Sequence, residues 1–370
     1  MFLEEVVIDK KRYKYLDVIK VIAIFFVVSY HSFSNYIIIP NNSEATYLIN
    51  RCISIFFATC VPLFFMVNGA LLFNKELNLK QHIIKTLKTF CLIYIWSAIL
   101  TLVLMPVKGV LSFNQFMNTV LTLKTQWVNH LWFLSQLVLL YILFPLFKYL
   151  FDRDKNYFII FLCFCFFFAI GDSIIKSLDL IAQGFWGENN FVSSVLNYGN
   201  SFLSKYDPTI KRYSYSMVYF MFGGLIHCYA KNIKEKCANK KFIINLLSIV
   251  FILITITCSY FYCESIGIKD VVWNGYSLIF TFINCSLVFL MGIINDNCKN
   301  NKFISFISKY IMGIYIIHFA VIPYIRKIFS SVELNVLPLK FPVAIISIGI
   351  SLLITFILMK IKYIRNLFKL

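Results

Sequence analysis

The sequence predicts an all-α, polytopic integral membrane protein with about ten transmembrane helices and with both termini in the cytoplasm. Of the 370 residues, 60% are hydrophobic and only 14% are charged, whereas soluble domains are about 25% charged. Apolar runs long enough to cross a bilayer recur along the chain. Most of the breaks between them are short and rich in Lys or Asn. These observations exclude a soluble globular domain.

Ten apolar runs are predicted to be membrane spans, because each approaches the ~20 residues that a crossing helix needs. They cover residues 18–39, 49–73, 88–106, 130–150, 156–175, 213–230, 242–262, 273–294, 308–329 and 341–360. A polar, charged segment precedes the first run, and no small-residue cleavage site follows it. We therefore expect a retained membrane helix at this position rather than a cleaved signal peptide.

The basic residues test this topology. With the N-terminus in the cytoplasm, 24 of the 35 Lys and Arg residues fall on the cytoplasmic side, as the positive-inside rule requires. The predicted organisation is a cytoplasmic segment at 1–17, a membrane domain at 18–360 with a long outer loop at about 176–212, and a cytoplasmic tail at 361–370. Since the net charge of +18 comes largely from loops that face anionic lipid, membrane lipid is the expected partner and nucleic acid is not.

Eleven cysteines lie scattered through the chain, mostly in apolar segments. They form no CxxC pair and no Cys/His cluster with zinc spacing, so they are interpreted as small hydrophobic residues. No metal site is predicted.

The first span carries the pair of residues that points to chemistry. Lys20 and His31 are eleven residues apart, which is close to three helical turns and places them on one helix face, about 16 Å apart along the axis. Asp17 lies three residues before Lys20, within reach of an ion pair. An ionisable residue inside the membrane is costly and is a hypothesis of function by default. His31 alone also fits a hydrogen-bonded core histidine, and Lys20 alone fits a snorkelling lysine.

Other polar residues are interpreted more simply. Three further histidines fall near predicted span ends and are expected to face solvent or lipid headgroups; they are His82, His130 and His227. Tyr315 and His318 are three residues apart on one helix face.

Four motifs occur in order along nearly the whole chain. The first is a basic residue and a histidine with ten residues between them, here Lys20 and His31. The others are VPLFFMVNG at 61–69, LWFL at 131–134 and GIYIIH at 313–318. Together they make the sequence similar to membrane acyltransferase family 3, which includes bacterial O-acetyltransferases of surface polysaccharides. Lys20 stands where Arg is common in the family, and Asn68 stands where Ser is usual.

The resemblance implies that acetyl-CoA, or another acyl-CoA, binds as donor substrate from the cytoplasmic side, with no bound cofactor. It implies acyl transfer to a hydroxyl of an outer-surface glycan or its lipid-linked precursor, by a multi-pass protein of the cytoplasmic membrane. Lys20, with Asp17, is then the donor-binding end, since an ammonium group can contact a CoA phosphate. His31 is the catalytic residue, either as general base or as acyl carrier. Candidates for acceptor or oxyanion contacts are Tyr315, His318, Asn68 and Trp132.

Two other classes stay open from the residues alone. A transporter or flippase could use His31 in a proton relay, although no inverted repeat is visible. A purely structural membrane subunit would not need an ionisable pair in its first helix. The sequence does not specify the acyl group, the acceptor or the oligomeric state.

Overall fold

The protein is a bundle of helices in a computed structural model that describes residues 13–33, 44–104, 112–123, 127–187, 191–206, 213–296, 301–329 and 337–368. No strand occurs within these ranges. In chain order the helices are α1 (Lys14–Phe33), α2 (Glu44–Phe57), α3 (Cys60–Phe73), α4 (Leu79–Leu104), α5 (Phe113–Thr122), α6 (Trp132–Arg153), α7 (Lys155–Trp186), α8 (Phe191–Tyr206), α9 (Tyr215–Cys228), α10 (Ala230–Cys237), α11 (Lys241–Ser265), α12 (Ile279–Ile294), α13 (Lys302–Ile328) and α14 (Leu337–Leu358). The predicted all-α class is confirmed.

Eight helical segments in the described part of the chain are long and apolar enough to cross a membrane. They are Lys14–Ser32, Glu44–Phe73, Leu79–Leu104, Asn129–Arg153, Lys155–Trp186, Ala230–Ser265, Lys302–Ile328 and Phe341–Leu358. Two shorter apolar helices, Tyr215–Cys228 and Ile279–Ile294, fall where the predicted spans 213–230 and 273–294 lie. The exact count of ten and the cytoplasmic position of both termini stay predictions.

Capping residues explain where two of the long helices begin. The side chain of Asn301 accepts hydrogen bonds from the backbone N–H groups of Phe303 and Ile304 at 3.0 and 3.3 Å. Asp154 accepts one from Asn156 at 2.7 Å. Such bonds satisfy donors that a helix N-terminus otherwise leaves unpaired, and they separate α13 and α7 from the segments before them.

Glycines allow α3 and α9 to pack backbone against backbone. A Cβ atom built on Gly69 would lie 1.8 Å from the carbonyl oxygen of Phe220, and one on Gly223 would lie 2.1 Å from that of Met66. Small residues at such crossings are typical of membrane bundles, where close contact replaces the hydrophobic effect as the driving force for association. The resulting core holds α3 firmly beside the helices that carry the polar residues.

Helix α13 lies beside α1 and runs in the same direction. At one end Ser308 donates a hydrogen bond to Asp17 at 2.5 Å. At the other end the rings of His31 and His318 approach with centroids 5.4 Å apart. Both ends of the Lys20–His31 face of α1 are therefore covered by the same helix.

Three of the predicted segments outside the membrane spans contain helical structure. The segment 176–212, expected to be a loop, is helical over much of its described length, because α7 extends to Trp186 and α8 spans Phe191–Tyr206. Helix α1 begins at Lys14, inside the expected N-terminal segment 1–17. In the expected tail 361–370, Ile364–Phe368 form a 3₁₀ helix, and the indole N–H of Trp96 donates to the carbonyl of Leu367 at 2.9 Å.

An apolar cavity of about 680 Å³ lies between α1, α2, α11 and α12. Its α1 lining comprises Val18, Ile19, Val21, Ile22, Phe25 and Phe26. At 100° per residue these side chains point to the side of α1 opposite Lys20 and His31. This cavity therefore lies on the opposite side of α1 from the candidate site.

Candidate active site

His31 lies in the last turn of α1, where its backbone is tightly held. The guanidinium group of Arg326 donates to the carbonyl oxygens of His31 and Ser32 at 2.6 and 3.0 Å. These carbonyls belong to the last turn of the helix, which lacks intrahelical partners and carries partial negative charge. A cation from α13 thus fixes the end of α1 and, with it, the position of His31.

The ring of His31 is partly exposed, and within the described residues it has no hydrogen bond to protein. It lies among aromatic rings instead. The centroids of Tyr30, Phe319 and His318 are 5.0, 5.1 and 5.4 Å away. Its nitrogen atoms are available to a substrate, as a general base or a nucleophile requires.

His318 is fully buried, and its surroundings define its tautomer. Nδ1 lies 3.1 Å from the carbonyl oxygen of Ile314; because a carbonyl only accepts, Nδ1 carries the proton of the neutral ring. Nε2 is then an acceptor, and it is buried with no hydrogen-bond partner among the described residues. A neutral His318 can accept a proton or an N–H bond at Nε2 but cannot donate to an oxyanion there.

His130 belongs to the same cluster, which corrects the expectation that it faces solvent or headgroups. It is 3% exposed, its ring centroid is 5.4 Å from that of His318, and it stacks on Phe319 at 4.9 Å. Nε2 donates to the carbonyl of Ile316 at 3.2 Å, while Nδ1 is buried and has no partner in the described part of the chain. We refer to His31, His318 and His130 as the histidine cluster.

Tyr315 packs beside this cluster, and its hydroxyl donates to the backbone carbonyl of His130. The ring also contacts Phe133 with centroids 5.5 Å apart. Because its proton is already donated, the hydroxyl does not offer a donor to an oxyanion in this arrangement. Its role as an acceptor contact stays a prediction.

At the other end of α1, Lys20 and Asp17 form the expected pair. The ammonium group lies 3.4 Å from the carboxylate, and the two side chains are 23% and 6% exposed. Asp17 also accepts from Ser308. The ammonium is therefore held near the surface by a carboxylate that α13 fixes in place, while it keeps access to a ligand.

Asn68 lies in a second polar group, away from the ring contacts of His31. Its amide donates to the carbonyl of Phe64 at 2.8 Å and accepts from the hydroxyl of Tyr141 at 3.2 Å. His82 joins this group through Nε2, which lies 2.7 Å from the carbonyl of Tyr141. Asn68 is thus part of a structural network, and no described contact brings it to the histidine cluster.

Two more histidines depart from the expectation of solvent or headgroup contact. His82 is 7% exposed and His227 is 6% exposed, and Nδ1 of His227 is hydrogen-bonded to the hydroxyl of Tyr15. Hydropathy places both near span ends, but packing against neighbouring helices buries them. Nε2 of His82 and Nδ1 of His227 have partners, unlike Nε2 of His318.

Trp132 lies two residues after His130, in a group of aromatic rings rather than in the histidine cluster. It stacks on Tyr213 at 5.2 Å with an interplanar angle of 19° and meets Trp273 edge-on at 5.0 Å. Its side chain is partly exposed.

Across the described residues, no group of three or more His, Cys, Asp and Glu side chains has a geometry that could hold a metal ion. The three imidazoles of the cluster are arranged around Phe319, which stacks on His130 and meets His31 edge-on. With this arrangement, the imidazole nitrogens can transfer protons or act as nucleophiles.

Sequence reasoning missed Arg326 and the burial of His130. Arg326 lies eleven residues after Tyr315, the same three-turn spacing that separates Lys20 and His31. This spacing predicts that Arg326 and Tyr315 share one face of α13. His130 gave no such signal, because only the packing of α13 against the start of α6 encloses it.

The fold and the site define a polytopic helical membrane protein with ionisable residues in its first helix and a histidine cluster, two members of which are buried. The family model described as an acyltransferase domain matches residues 13–360, and the chain belongs to acyltransferase family 3. No curated protein matches the sequence, and no solved structure does. The resemblance of the four motifs is thereby confirmed at the level of the family.

Proposed function

We propose that the protein moves an acyl group, acetyl foremost, from cytoplasmic acyl-CoA across the membrane to a hydroxyl of an outer-surface glycan or its lipid-linked precursor. The observation that carries this proposal is the histidine cluster: a partly exposed imidazole beside two buried ring nitrogens that lack partners within the described chain. Buried polar atoms are normally satisfied. Several ring nitrogens with available lone pairs in one place therefore indicate a site that binds a substrate hydroxyl or thioester.

The donor is assigned to the Lys20 end of α1. The Lys20 ammonium group is only partly buried, and it can pair with a phosphate oxygen in a charge-assisted hydrogen bond. Lys20 and His31 share a helix face and lie about 16 Å apart along its axis. An extended pantetheine arm running beside α13 would place the thioester near His31 while the nucleotide stays at the cytoplasmic surface.

At His31 the reaction takes one of two courses. As general base, His31 removes the proton of the acceptor hydroxyl while the oxygen attacks the thioester carbonyl; the tetrahedral intermediate then expels CoA thiolate, which recovers the proton. As acyl carrier, a His31 nitrogen attacks the carbonyl and expels CoA thiolate, which takes the proton of the other ring nitrogen; the acceptor hydroxyl then takes the acyl group and returns its proton to the imidazole. In both courses we assign Nε2 of His318 the role of accepting an N–H of His31 and orienting its ring when substrate binds. This assignment is supported by the 5.4 Å separation of the two ring centroids and by the lack of another partner for that nitrogen among the described residues.

The test is acyl transfer by the full-length protein in liposomes supplied with labelled acetyl-CoA. We expect donor hydrolysis or protein labelling in the wild type and a loss of at least about a hundredfold in His31→Ala, the scale of general acid–base catalysis. His82→Gln is the control, since it changes another buried histidine but keeps a donor for the carbonyl of Tyr141.

Turnover that is independent of His31 would contradict the proposal. A transporter with a histidine relay would instead show proton-coupled movement of a solute with no consumption of the thioester. Stable label on the wild-type protein that disappears in His31→Ala would select the acyl-carrier course.

A further inference from the structure

Four aromatic side chains from three separate parts of the chain meet beside the histidine cluster. Trp132 begins α6, Tyr213 precedes α9, and Trp273 and Tyr276 lie in the turn before α12. Besides its contacts with Tyr213 and Trp273, Trp132 lies 6.2 Å from Tyr276 at an angle of 30°, and Trp273 lies 6.1 Å from Tyr276. We call these four residues the aromatic platform.

The platform has a buried base and an accessible rim. Tyr276 is 3% exposed, whereas Trp132, Tyr213 and Trp273 are each partly exposed. A buried aromatic core needs no such rim, and an interfacial belt spreads its rings around a protein to face lipid. Here Trp273 meets Trp132 edge-on and Trp132 stacks on Tyr213, so the rings form a compact wall.

Polar groups link this wall to the end of α1. The hydroxyl of Tyr30, the neighbour of His31, donates to Asp270 at 2.6 Å. The other carboxylate oxygen of Asp270 accepts from the backbone N–H groups of Val272 and Trp273 at 3.1 and 3.0 Å. The turn that carries Trp273 is therefore fixed relative to His31.

Asp270 also keeps hydrogen-bonding capacity. A carboxylate has about four lone-pair positions, and the three bonds above occupy three of them. The exposed side chain of Asn274 donates to the Asp270 carbonyl at 3.1 Å and lies in the same turn. A carboxylate and an amide thus border a wall of partly exposed aromatic rings.

We infer that the aromatic platform is a saccharide-binding subsite that holds a sugar ring of the acceptor, with Trp273 and Trp132 stacking on the ring and Asp270 accepting from its hydroxyls. Sugar rings have apolar C–H faces and a hydroxyl edge, which match an aromatic wall with a polar border. The inference rests on the proposed glycan acceptor and adds where that acceptor is held.

The experiment measures binding of short neutral and acidic oligosaccharides to full-length detergent-solubilised protein, without any donor. We expect the wild type to bind at least one of these saccharides and Trp273→Ala to bind it about tenfold more weakly, the loss of roughly one stacking contact. Trp273→Phe, which keeps an aromatic face, should lose less.

Trp186→Ala is the matched control, because Trp186 is 66% exposed and lies outside the platform. Thermal unfolding in the same detergent verifies that each variant is folded. Equal losses of saccharide affinity in Trp273→Ala and Trp186→Ala would indicate a general aromatic belt and overturn the inference. An unchanged affinity in Trp273→Ala would also overturn it, and so would the absence of saccharide binding by the wild type. Because no donor is present, the result is independent of whether acyl transfer occurs.

Discussion

At one end of α1, Lys20 and Ser308 each bond to Asp17, whereas at the other end Arg326 holds the backbone and the His31 ring lacks a hydrogen bond within the described chain. The first arrangement stabilises charge near a surface, where pairing satisfies both groups. The second fixes the backbone at the end of α1 and leaves the ring nitrogens of His31 available to a substrate. One helix therefore offers a charged binding end and an end suited to reaction.

Removal of His318 should cause the largest effect at the reactive end apart from the loss of His31 itself. We expect His318→Ala to lower kcat about a hundredfold, because the proposed acceptor that orients the His31 ring during the reaction is removed. The KM for acetyl-CoA should change little, because the donor is held at Lys20. Steady-state kinetics on the protein in liposomes separate the two constants.

His318→Gln controls for the buried cavity that alanine creates, since its side-chain oxygen can replace Nε2 as an acceptor. It should recover part of the lost kcat. Equal kcat losses in the two variants, at equal thermal stability, would contradict the orienting role.

Arg326→Gln should have an intermediate effect, a fall in kcat of about tenfold. The carbonyls of His31 and Ser32 lose a charged donor at a helix C-terminus, a contribution of about 0.3–2 kcal/mol, and the position of the His31 ring becomes less defined. Arg326→Lys should lie between wild type and Arg326→Gln, because a point charge can serve only part of the two-carbonyl contact.

Lys327→Gln makes the same change of charge one residue away, on an exposed side chain, and should leave kcat within about twofold. If Lys327→Gln lowers kcat as much as Arg326→Gln does, charge near the end of α13 explains the effect and the contacts of Arg326 do not.

Lys20→Ala should have the smallest effect on catalysis, with a rise in the donor KM of about tenfold and little change in kcat, because one charge-assisted contact with a phosphate is lost. Lys20→Arg should lower KM below the wild-type value, since the guanidinium fork can bind phosphate through two bonds. The exposed Lys14 gives the control: Lys14→Ala alters the same end of α1 without the Asp17 contact and should leave KM unchanged.

Much of the fold could be predicted from the sequence, because long apolar runs define membrane helices almost independently of their neighbours. The three-turn spacing of Lys20 and His31 also predicted a shared face, and α13 contacts both ends of that face. The helices α7 and α8 across 176–206 were missed, since Gly, Asn and Ser in that segment favour loops when tertiary packing is unknown.

The interior of the site depended on packing between distant segments. His130 and His318 meet only because α13 lies against the start of α6, and Trp273 reaches Trp132 only through the turn before α12. Neither contact leaves a periodic pattern in the sequence. Hydropathy alone therefore placed His82, His130 and His227 at exposed span ends, where the structure buries all three.

The most direct test of separate roles for the two ends of α1, donor binding at Lys20 and catalysis at His31, compares Lys20→Ala with His31→Ala. Their kcat and their KM for acetyl-CoA are measured in one liposome assay. We expect Lys20→Ala to raise KM while kcat stays near the wild-type value. We expect His31→Ala to lower kcat at least about a hundredfold while labelled acetyl-CoA still binds with wild-type affinity. If both variants lose donor binding, or if His31→Ala retains turnover, the two ends do not have the separate roles assigned to them.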